Sequence, residues 1–417
     1  MTWPMKRLRY LATFNPPVPS SVRTDAEGDY PLLPMDSINE FTETGAPEVR
    51  PVGDLLNGYS YLEPTDVAYA KVTPCFENGK GLIGSVLDGP TFATTEITVL
   101  RPHNSVNQRF LGYLLQSSAF RHAAIASMTG AGGLKRVSET AMRDLRVPAP
   151  PLEEQRLIAD YLDRETAEID AFISELRLLA DLTFEYLSSK AAELLAPSVG
   201  SKKGWTETHL GPLISITAGQ VDPKKGRYRD MPLIAPNHIE SRTSRLLGLE
   251  TAAEQGAESG KYLAKEGQVL FSKIRPTLMK STLAPTDCLT SADMYPIEVN
   301  SRFITNTFLL EYLLGPQFED YAARESARVA MPKLNRETLS AAPIALPPLE
   351  HQELVARQMR NARTQAEAHL AEVGSAIRLG KERRAALISA AVTGQVDVTT
   401  QGVSVTEQLR DELEVHV

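Results

Sequence analysis

Pro150-Pro151-Leu152-Glu153-Glu154-Gln155 occurs a second time in the chain as Pro347-Pro348-Leu349-Glu350-His351-Gln352, 197 residues further on. In both places a proline pair is followed at once by an apolar residue and a glutamate. Acidic side chains are favourable in the first turn of a helix, because they complement the helix dipole. The repeated hexapeptide therefore predicts two helices that begin in the same way.

Shorter matches in the same order extend this repeat over most of the chain. They pair Pro31-Leu32-Leu33 with Pro232-Leu233-Ile234, Tyr61-Leu62 with Tyr262-Leu263, and Tyr113-Leu114-Leu115 with Tyr312-Leu313-Leu314. The period of about 200 residues is far longer than the supersecondary unit of a solenoid or propeller. We interpret it as a tandem duplication of a globular domain and its connector.

The connector of each copy has the pattern of a long helix. No Gly or Pro interrupts the sequence between Pro151 and Pro197, and mainly apolar residues recur at steps of four and three from Leu162 to Leu194. A helix from Leu152 to Leu195 would be about 65 Å long. The second copy keeps the same phase with weaker residues, and neither narrow seam would be stable alone in water. Periodicity alone leaves a coiled coil between identical chains open, whereas the repeat within one chain favours intramolecular pairing.

The residues before each connector predict an α+β globule. Short β-branched runs such as Val67–Val72 and Gln268–Ile274 are followed by helical stretches at Arg109–Ala126 and Asn306–Ala323. The predicted fold class is thus α+β, with two tandem, pseudo-symmetric globular domains joined by two long helices packed as an antiparallel coiled coil. The expected boundaries are a first domain at 1–150, a central long helix at 151–197, a second domain at 198–346, a distal long helix at 347–397 and a C-terminal tail at 398–417.

Composition excludes several classes of protein. The 417 residues contain two cysteines, Cys75 and Cys288, with no metal-ligand spacing around them, which excludes a disulfide framework and a structural zinc site. No stretch approaches the ~20 apolar residues of a membrane span, and no signal peptide is evident, so we expect a cytoplasmic protein without a membrane partner. The net charge is −8, and residues 151–200, with 4 basic and 11 acidic side chains, carry −7 of it.

Motifs for chemistry are weak. Phe14-Asn15-Pro16-Pro17-Val18 is similar to the loop with which adenine-N6 methyltransferases hold an extruded base, but no glycine-rich turn for S-adenosylmethionine lies near it. Gly256–Lys261 has one spacer too few for a phosphate-binding loop, and no two of the seven histidines have metal-ligand spacing. We therefore expect no catalytic residue, no metal ligand and no cofactor in this chain.

Basic clusters in the globular parts are the candidate DNA-binding residues, because Lys and Arg neutralise phosphates and Arg reads base edges. A solvated surface is the ordinary alternative for any one cluster, but several recur at corresponding places in the two copies. Lys71 and Lys80 bracket Pro74 as Lys273, Arg275 and Lys280 flank Pro276. The full set is Lys71, Lys80, Lys135, Arg136, Lys224, Lys225, Arg227, Arg229, Lys273, Arg275, Lys280 and Lys333.

This plan resembles the specificity subunits of type I restriction-modification enzymes. The resemblance rests on the two Pro-Pro-Leu-x-x-Gln helix starts and on Ala386-Leu387-Ile388-Ser389-Ala390-Ala391-Val392-Thr393-Gly394, and it extends to about Asp397. The first helix departs from it, because Lys190–Leu195 lacks the Ala-Leu-Ile-x-x-Ala-Val-Thr-Gly ending. The resemblance is therefore weaker support for contacts with partner subunits at the end of the first helix.

The resemblance implies a non-catalytic subunit with two target recognition domains that read the halves of a bipartite, asymmetric DNA target. Two methyltransferase subunits holding S-adenosylmethionine would dock on it for adenine-N6 methylation, and two motor-nuclease subunits using ATP and Mg²⁺ would join them for restriction. Two alternatives remain open. One is a coiled-coil adaptor without sequence-specific DNA binding, and the other is a self-sufficient adenine methyltransferase that uses Asn15.

Overall fold

A computed structural model describes residues 3–25, 27–41, 44–131, 133–195, 204–326, 332–396 and 398. The predicted tail at 398–417 lies outside the described residues except for Val398. The chain folds into two compact units, which we call unit 1 (Met1–Leu176 with Ser375–Val417) and unit 2 (Arg177–Gly374). The fold class is α+β, as predicted.

The described residues of the first part of the chain form twelve strands and six α-helices. The strands are β1 (Met5–Arg7), β2 (Ala12–Phe14), β3 (Asp29–Leu33), β4 (Glu48–Pro51), β5 (Ser60–Leu62), β6 (Val67–Ala70), β7 (Gly81–Ile83), β8 (Thr91–Ala93), β9 (Ile97–Pro102), β10 (Thr129–Ala131), β11 (Leu134–Arg136) and β12 (Arg146–Pro148). The helices are α1 (Ser20–Arg23), α2 (Val52–Leu55), α3 (Gln108–Gln116), α4 (Ser118–Ala126), α5 (Glu139–Asp144) and the long α6 (Leu152–Leu195).

The second part repeats most of these elements. The strands are β13 (Thr206–His209), β14 (Ile214–Ile216), β15 (Leu233–Ile234), β16 (Tyr262–Ala264), β17 (Val269–Ser272), β18 (Ser281–Leu283), β19 (Cys288–Thr290), β20 (Met294–Val299) and β21 (Pro343–Leu346). The helices are α7 (Asn306–Leu313), α8 (Pro316–Ser326), α9 (Arg336–Ser340) and the long α10 (Leu349–Val392). None of the described helices is long and apolar enough to cross a membrane.

The sheets of the two units correspond closely, although the described part of unit 2 has no counterpart of β4. In unit 1 the order β2-β9-β6-β7 forms one sheet and β4-β3-β8-β5 a second, while unit 2 has β14-β20-β17-β18 and β15-β19-β16. Each unit also has a small two-stranded sheet, which is β1-β12 in unit 1 and β13-β21 in unit 2. Even the parallel pairing of β3 with β8 recurs between β15 and β19. The repeat in the sequence therefore corresponds to a repeat of strand order and strand pairing in the structure.

Each predicted helical stretch before the connector is interrupted. The chain breaks at Ser117, which lies between α3 and α4 with extended backbone and whose hydroxyl accepts a hydrogen bond from Phe120 N at 3.3 Å. In unit 2 the break falls at Leu314 and Gly315, just before Pro316. A capping serine in unit 1 and a proline in unit 2 each start a new helix, so each predicted helical stretch consists of two helices.

The long helices pack antiparallel, as predicted. In unit 1 the Arg384 Nε atom of α10 lies 3.0 Å from an Asp170 carboxylate oxygen of α6, and Gly380 faces Ile173. Residue numbers thus rise along one helix as they fall along the other. A Cβ atom on Gly380 would lie 3.2 Å from the Ile173 side chain, so glycine keeps the two helices close there. In unit 2 the Thr183 hydroxyl meets His369 Nδ1 at 3.1 Å.

The glutamine of each Pro-Pro-Leu-x-x-Gln motif is buried and joins the long helix to its unit. Gln155 Oε1 accepts from the backbone N–H of Asn107 at 2.8 Å, and its Nε2 donates to the carbonyls of Ser105 and Pro150. Gln352 repeats all three bonds, with Thr305 N at 2.8 Å and with the carbonyls of Phe303 and Pro347. Asn107 and Thr305 cap α3 and α7, so each glutamine links the starts of two helices.

Replacing Gln352 by Ala is expected to lower the free energy of unfolding by about 1–3 kcal/mol, because a buried N–H and two carbonyls lose their partners. Urea denaturation of the full chain measures this. Gln358→Ala is the matched control, since Gln358 is exposed on the same helix. Equal urea midpoints for Gln352→Ala and Gln358→Ala would contradict the role of Gln352 in joining the long helix to its unit.

A buried ion pair lies between α7 and α10 in unit 2. Arg363 donates to the carboxylate of Glu311, and the two side chains are 6% and 1% exposed. Burial raises the pKa of Glu311, and the charge of Arg363 opposes that rise. Removing either partner would therefore leave the charge of the other in a poorly solvated site.

Arg363→Met is expected to destabilise the protein by about 3–5 kcal/mol at neutral pH, since Glu311 would be left without its counter-charge. With the folded-state pKa of Glu311 raised further, the deficit should grow as pH rises above the usual glutamate range and shrink below it. Thermal unfolding at several pH values tests this against Arg357→Met, which changes an exposed arginine of α10. A loss of stability in Arg363→Met that does not change with pH would contradict the interpretation that an unpaired Glu311 carboxylate causes it.

Candidate nucleic-acid interface

The basic residues of unit 1 meet where strand β11 joins the end of β6. The Lys71 carbonyl accepts from Val137 N at 2.8 Å, and Thr73 N donates to the Lys135 carbonyl at 2.9 Å. Val72 and Arg136 form an antiparallel bridge. Lys71, Lys135 and Arg136 therefore lie on one continuous edge, which we call edge 1.

Unit 2 builds the same edge with the same backbone bonds. The Lys273 carbonyl accepts from Leu334 N at 2.9 Å, Arg275 N donates to the Pro332 carbonyl at 2.9 Å, and Ile274 bridges Lys333. Lys273, Arg275 and Lys333 form this edge, which we call edge 2. Met331, the predicted neighbour of Lys333, lies outside the described residues.

Side-chain chemistry differs between the edges. On edge 1 the Arg136 guanidinium binds Glu96 through two hydrogen bonds, Nε to Oε2 at 2.9 Å and Nη2 to Oε1 at 2.6 Å. The hydrogen bonds from Arg136 hold the pKa of Glu96 below its usual range. On edge 2 Lys273 N donates to the Asp293 carbonyl as Lys71 N donates to the Glu96 carbonyl, but the Asp293 and Lys333 side chains form no ion pair.

Edge 2 presents unpaired cations at its surface. Arg275 is exposed and takes a left-handed conformation, with φ of 45°, at the start of a short 3-10 turn. Lys273 is half-buried, and its ammonium lies 5.5 Å from the centroid of the Tyr295 ring. Within the described part of the chain, Arg275 and Lys333 have no acidic partner, so each retains a full charge for an anionic ligand.

Two of the predicted residues are used inside the fold. The Lys80 ammonium donates to the Met35 carbonyl at 2.7 Å, and the Lys280 ammonium donates to the Pro236 carbonyl at 2.8 Å. Both side chains are half-buried, and each hydrogen bond joins two loops within its own unit, at corresponding places in the two copies. Their recurrence in the two copies therefore has a structural cause.

The four basic residues near position 226 form a separate surface of unit 2. They lie in and before a 3-10 turn at Gly226–Asp230, away from the backbone bonds that build edge 2. Lys224 pairs with Glu258 at 3.2 Å, and Lys225 lies 3.6 Å from Asp222. Arg227 packs over the Tyr228 ring, and Arg229 is exposed. The structure does not join this cluster to edge 2.

The Asn-Pro-Pro sequence has a structural role in unit 1. Asn15 has a positive φ of 46°, its Oδ1 accepts from Val99 N at 3.0 Å, and its Nδ2 donates to Glu139 at 2.7 Å. Both ends of the amide are thus engaged in joining β2, β9 and α5. Among the described residues no cluster of three His, Cys, Asp or Glu side chains has metal-binding geometry.

Sequence reasoning missed two residues that shape these edges. Glu96, which binds Arg136, is 40 positions away and shows no local pattern. Arg336 donates to the carbonyls of Ile216 and Thr217 and, like Lys273, lies 5.5 Å from the centroid of the Tyr295 ring. Its sequence signal is its position three residues after the predicted residue Lys333.

A family model for the type I restriction modification DNA specificity domain matches residues 53–176 and 202–369. These segments cover more than half of the chain and fall in both copies of the repeat. The chain belongs to the type I restriction-modification DNA specificity family.

Curated relatives agree with this membership. The chain is 27% identical over 308 residues to the type I restriction enzyme EcoDI specificity subunit of Escherichia coli, covering 64% of this chain and 68% of the relative. It is 35% identical over 159 residues to the EcoAI specificity subunit of Escherichia coli, covering 37% of this chain and 26% of the relative. The second match is therefore confined to about a quarter of that protein.

Solved structures share the fold of this specificity-family chain. A chain from a structural study of assembly and conformational transition in the type I R-M system aligns with a TM-score of 0.69 at 18% identity, covering 95% of this chain and 98% of that one. The HsdS subunit from Thermoanaerobacter tengcongensis aligns with a TM-score of 0.53 at 19% identity, covering 94% and 97%.

Arg275→Gln is expected to weaken binding of the purified chain to all DNA duplexes alike, because an unpaired exposed cation suits a phosphate. The plot of log affinity against log salt should flatten by about 0.9, the value for one phosphate contact. Fluorescence anisotropy over a series of KCl concentrations measures it. Lys265→Gln, in which the exposed lysine already pairs with Asp287, should leave the slope unchanged. Loss at one base position only would instead make Arg275 a base-reading residue.

Proposed function

We propose that this chain is the non-catalytic DNA sequence-specificity subunit of a cytoplasmic type I restriction-modification complex. Each unit would read one short half of a bipartite DNA target. The observation that carries this proposal is the construction of the same basic edge twice, with equivalent backbone hydrogen bonds, in a chain of the DNA specificity family.

The target should be asymmetric, because the two edges differ in chemistry. Thr73 occupies the position of Arg275, and Arg136 with its carboxylate partner occupies the position of the unpaired Lys333. Different side chains at equivalent places favour different bases. The long helices connect the units, and we infer that they set the length of the unread DNA between the half-sites.

Catalysis is assigned to partner subunits. Two methyltransferase subunits would dock on this chain and methylate adenine N6 with S-adenosylmethionine that they hold themselves. Two motor-nuclease subunits, using ATP and Mg²⁺, would join for restriction. The engagement of both amide ends of Asn15 within unit 1 supports a chain without its own methyltransferase site.

Tight binding should require the partners. Residues 151–200 carry −7 of the net charge, and counterion release grows with the number of phosphates that a protein neutralises. We therefore expect weak, salt-sensitive binding by the isolated chain and tight, specific binding by the methyltransferase complex. Salt-resistant specific binding by the chain alone would contradict this expectation.

Single-molecule sequencing of DNA from cells that express the cognate methyltransferase, with and without this chain, tests the function. We expect adenine methylation in an asymmetric two-part motif only when the chain is present. Methylation without the chain would contradict its role as the specificity subunit. An assembled complex that methylates no motif would favour the adaptor, whereas methylation by the purified chain alone would favour a self-sufficient methyltransferase.

A further inference from the structure

Glu96 leaves one side of the Arg136 guanidinium available. The carboxylate takes the Nε and Nη2 hydrogens, at 2.9 and 2.6 Å, and no described residue accepts from Nη1. The terminal edge formed by Nη1 and the remaining Nη2 hydrogen therefore stays open. That edge is the part of an arginine side chain that binds guanine O6 and N7 with two hydrogen bonds in the major groove.

The pair is poorly suited to holding a phosphate. Arg136 and Glu96 together carry no net charge, and their side chains are 49% and 30% exposed, so the site stays partly open to solvent. Phosphate binding gains its strength from net positive charge and counterion release, whereas a base edge is recognised by the direction of hydrogen bonds. A neutral, oriented arginine is thus better matched to a base than to the DNA backbone.

A second observation concerns the surface beside Arg136. Leu134 lies two residues earlier on β11, on the same face of the strand, and is 57% exposed. An exposed apolar side chain next to a phosphate oxygen would gain nothing, but it can contact a thymine methyl group on the groove floor. The face of β11 therefore presents one oriented donor pair and one apolar contact.

We infer that Arg136 reads a guanine in the half-site of unit 1 and that Glu96 is the positioning residue that orients it. This inference rests on the proposed function. Packing a carboxylate against one edge of the guanidinium restricts its rotation, so less entropy is lost when the other edge binds the base. On edge 2, where Asp293 and Lys333 form no ion pair, no described residue orients a donor pair in this way.

Unit 2 contains a matched control with the same local geometry. Arg245 binds Glu240 through Nε to Oε2 at 2.9 Å and Nη2 to Oε1 at 2.6 Å. Arg245 lies in a groove of unit 2 whose lining includes the glutamates Glu185, Glu240, Glu319 and Glu367 and the further arginines Arg242 and Arg363. The pair belongs to neither edge 1 nor edge 2, and this groove has no excess of positive charge, so the pair should take no part in reading the target.

The experiment measures methylation rates of the complete methyltransferase complex on duplexes in which each base pair of the wild-type motif is replaced in turn. Arg136→Lys keeps the charge but loses the paired donors, and Arg136→Gln loses both. We expect both variants to lose discrimination at one G·C pair by about tenfold or more and to keep discrimination at the other positions. Arg245→Lys and Arg245→Gln should retain the full wild-type pattern.

Glu96→Gln tests the positioning role separately. We expect reduced discrimination at the same G·C pair, with unchanged rates on duplexes that already lack it. A uniform gain in affinity on all sequences would show that Glu96 only competes with DNA, and it would overturn the positioning role.

Two further outcomes would overturn the assignment of Arg136 while leaving the specificity function intact. One is a wild-type pattern in both Arg136 variants. The other is a nearly wild-type Lys variant with a Gln variant that is slowed equally on every duplex, which would make Arg136 a phosphate contact. A wild-type complex without any sequence preference would overturn the proposed function itself, and with it this inference.

Discussion

The buried amides of Gln155 and Gln352 fix where each long helix starts relative to its own unit. Each amide satisfies the N–H of a helix cap and two carbonyls, and these groups would otherwise be buried without partners. A shorter side chain cannot reach all three groups, and a glutamate cannot donate to two carbonyls. The direction in which α6 and α10 leave their sheets therefore depends on one residue type at one position of the repeated motif.

The antiparallel helices make unit 1 discontinuous in the chain, whereas unit 2 is one continuous segment. The first part of α6 packs with the last part of α10 in unit 1, and the remaining parts belong to unit 2. Apolar residues of both helices enter each core, as Ile169 and Ile388 do in unit 1. In unit 2 Glu311 pairs with Arg363, whereas in unit 1 the Tyr113 hydroxyl lies 3.2 Å from the Thr166 hydroxyl, so the two copies have diverged inside as well as at their edges.

Much of this fold was predictable because its signals are local or repeated. The limits of α6, the antiparallel seam and several strands followed from apolar spacing and from the position of proline. The break at Ser117 was missed because a serine inside an apolar period is visible as a cap only when the backbone around it is known.

The candidate site was predictable in part. Recurrence of lysines at corresponding positions led to Lys71 and Lys273, which the structure places on equivalent edges. The same recurrence also selected Lys80 and Lys280, whose ammonium groups bind carbonyls within the fold, because repetition preserves structural and functional residues alike. Glu96 could not be found from sequence, since its contact with Arg136 depends on how the residue before β9 and strand β11 are both held beside Lys71 in three dimensions.

The composition of unit 1 has a consequence for synthesis of the protein. Its core includes Ile388, Ala391 and Val392, which leave the ribosome more than 200 residues after the first part of α6. At typical elongation rates this interval is on the order of 10–40 s. Throughout that time the apolar face around Ile158 and Leu162 has no partner helix, so the nascent chain has to be kept from aggregating until the last part of α10 has been synthesised.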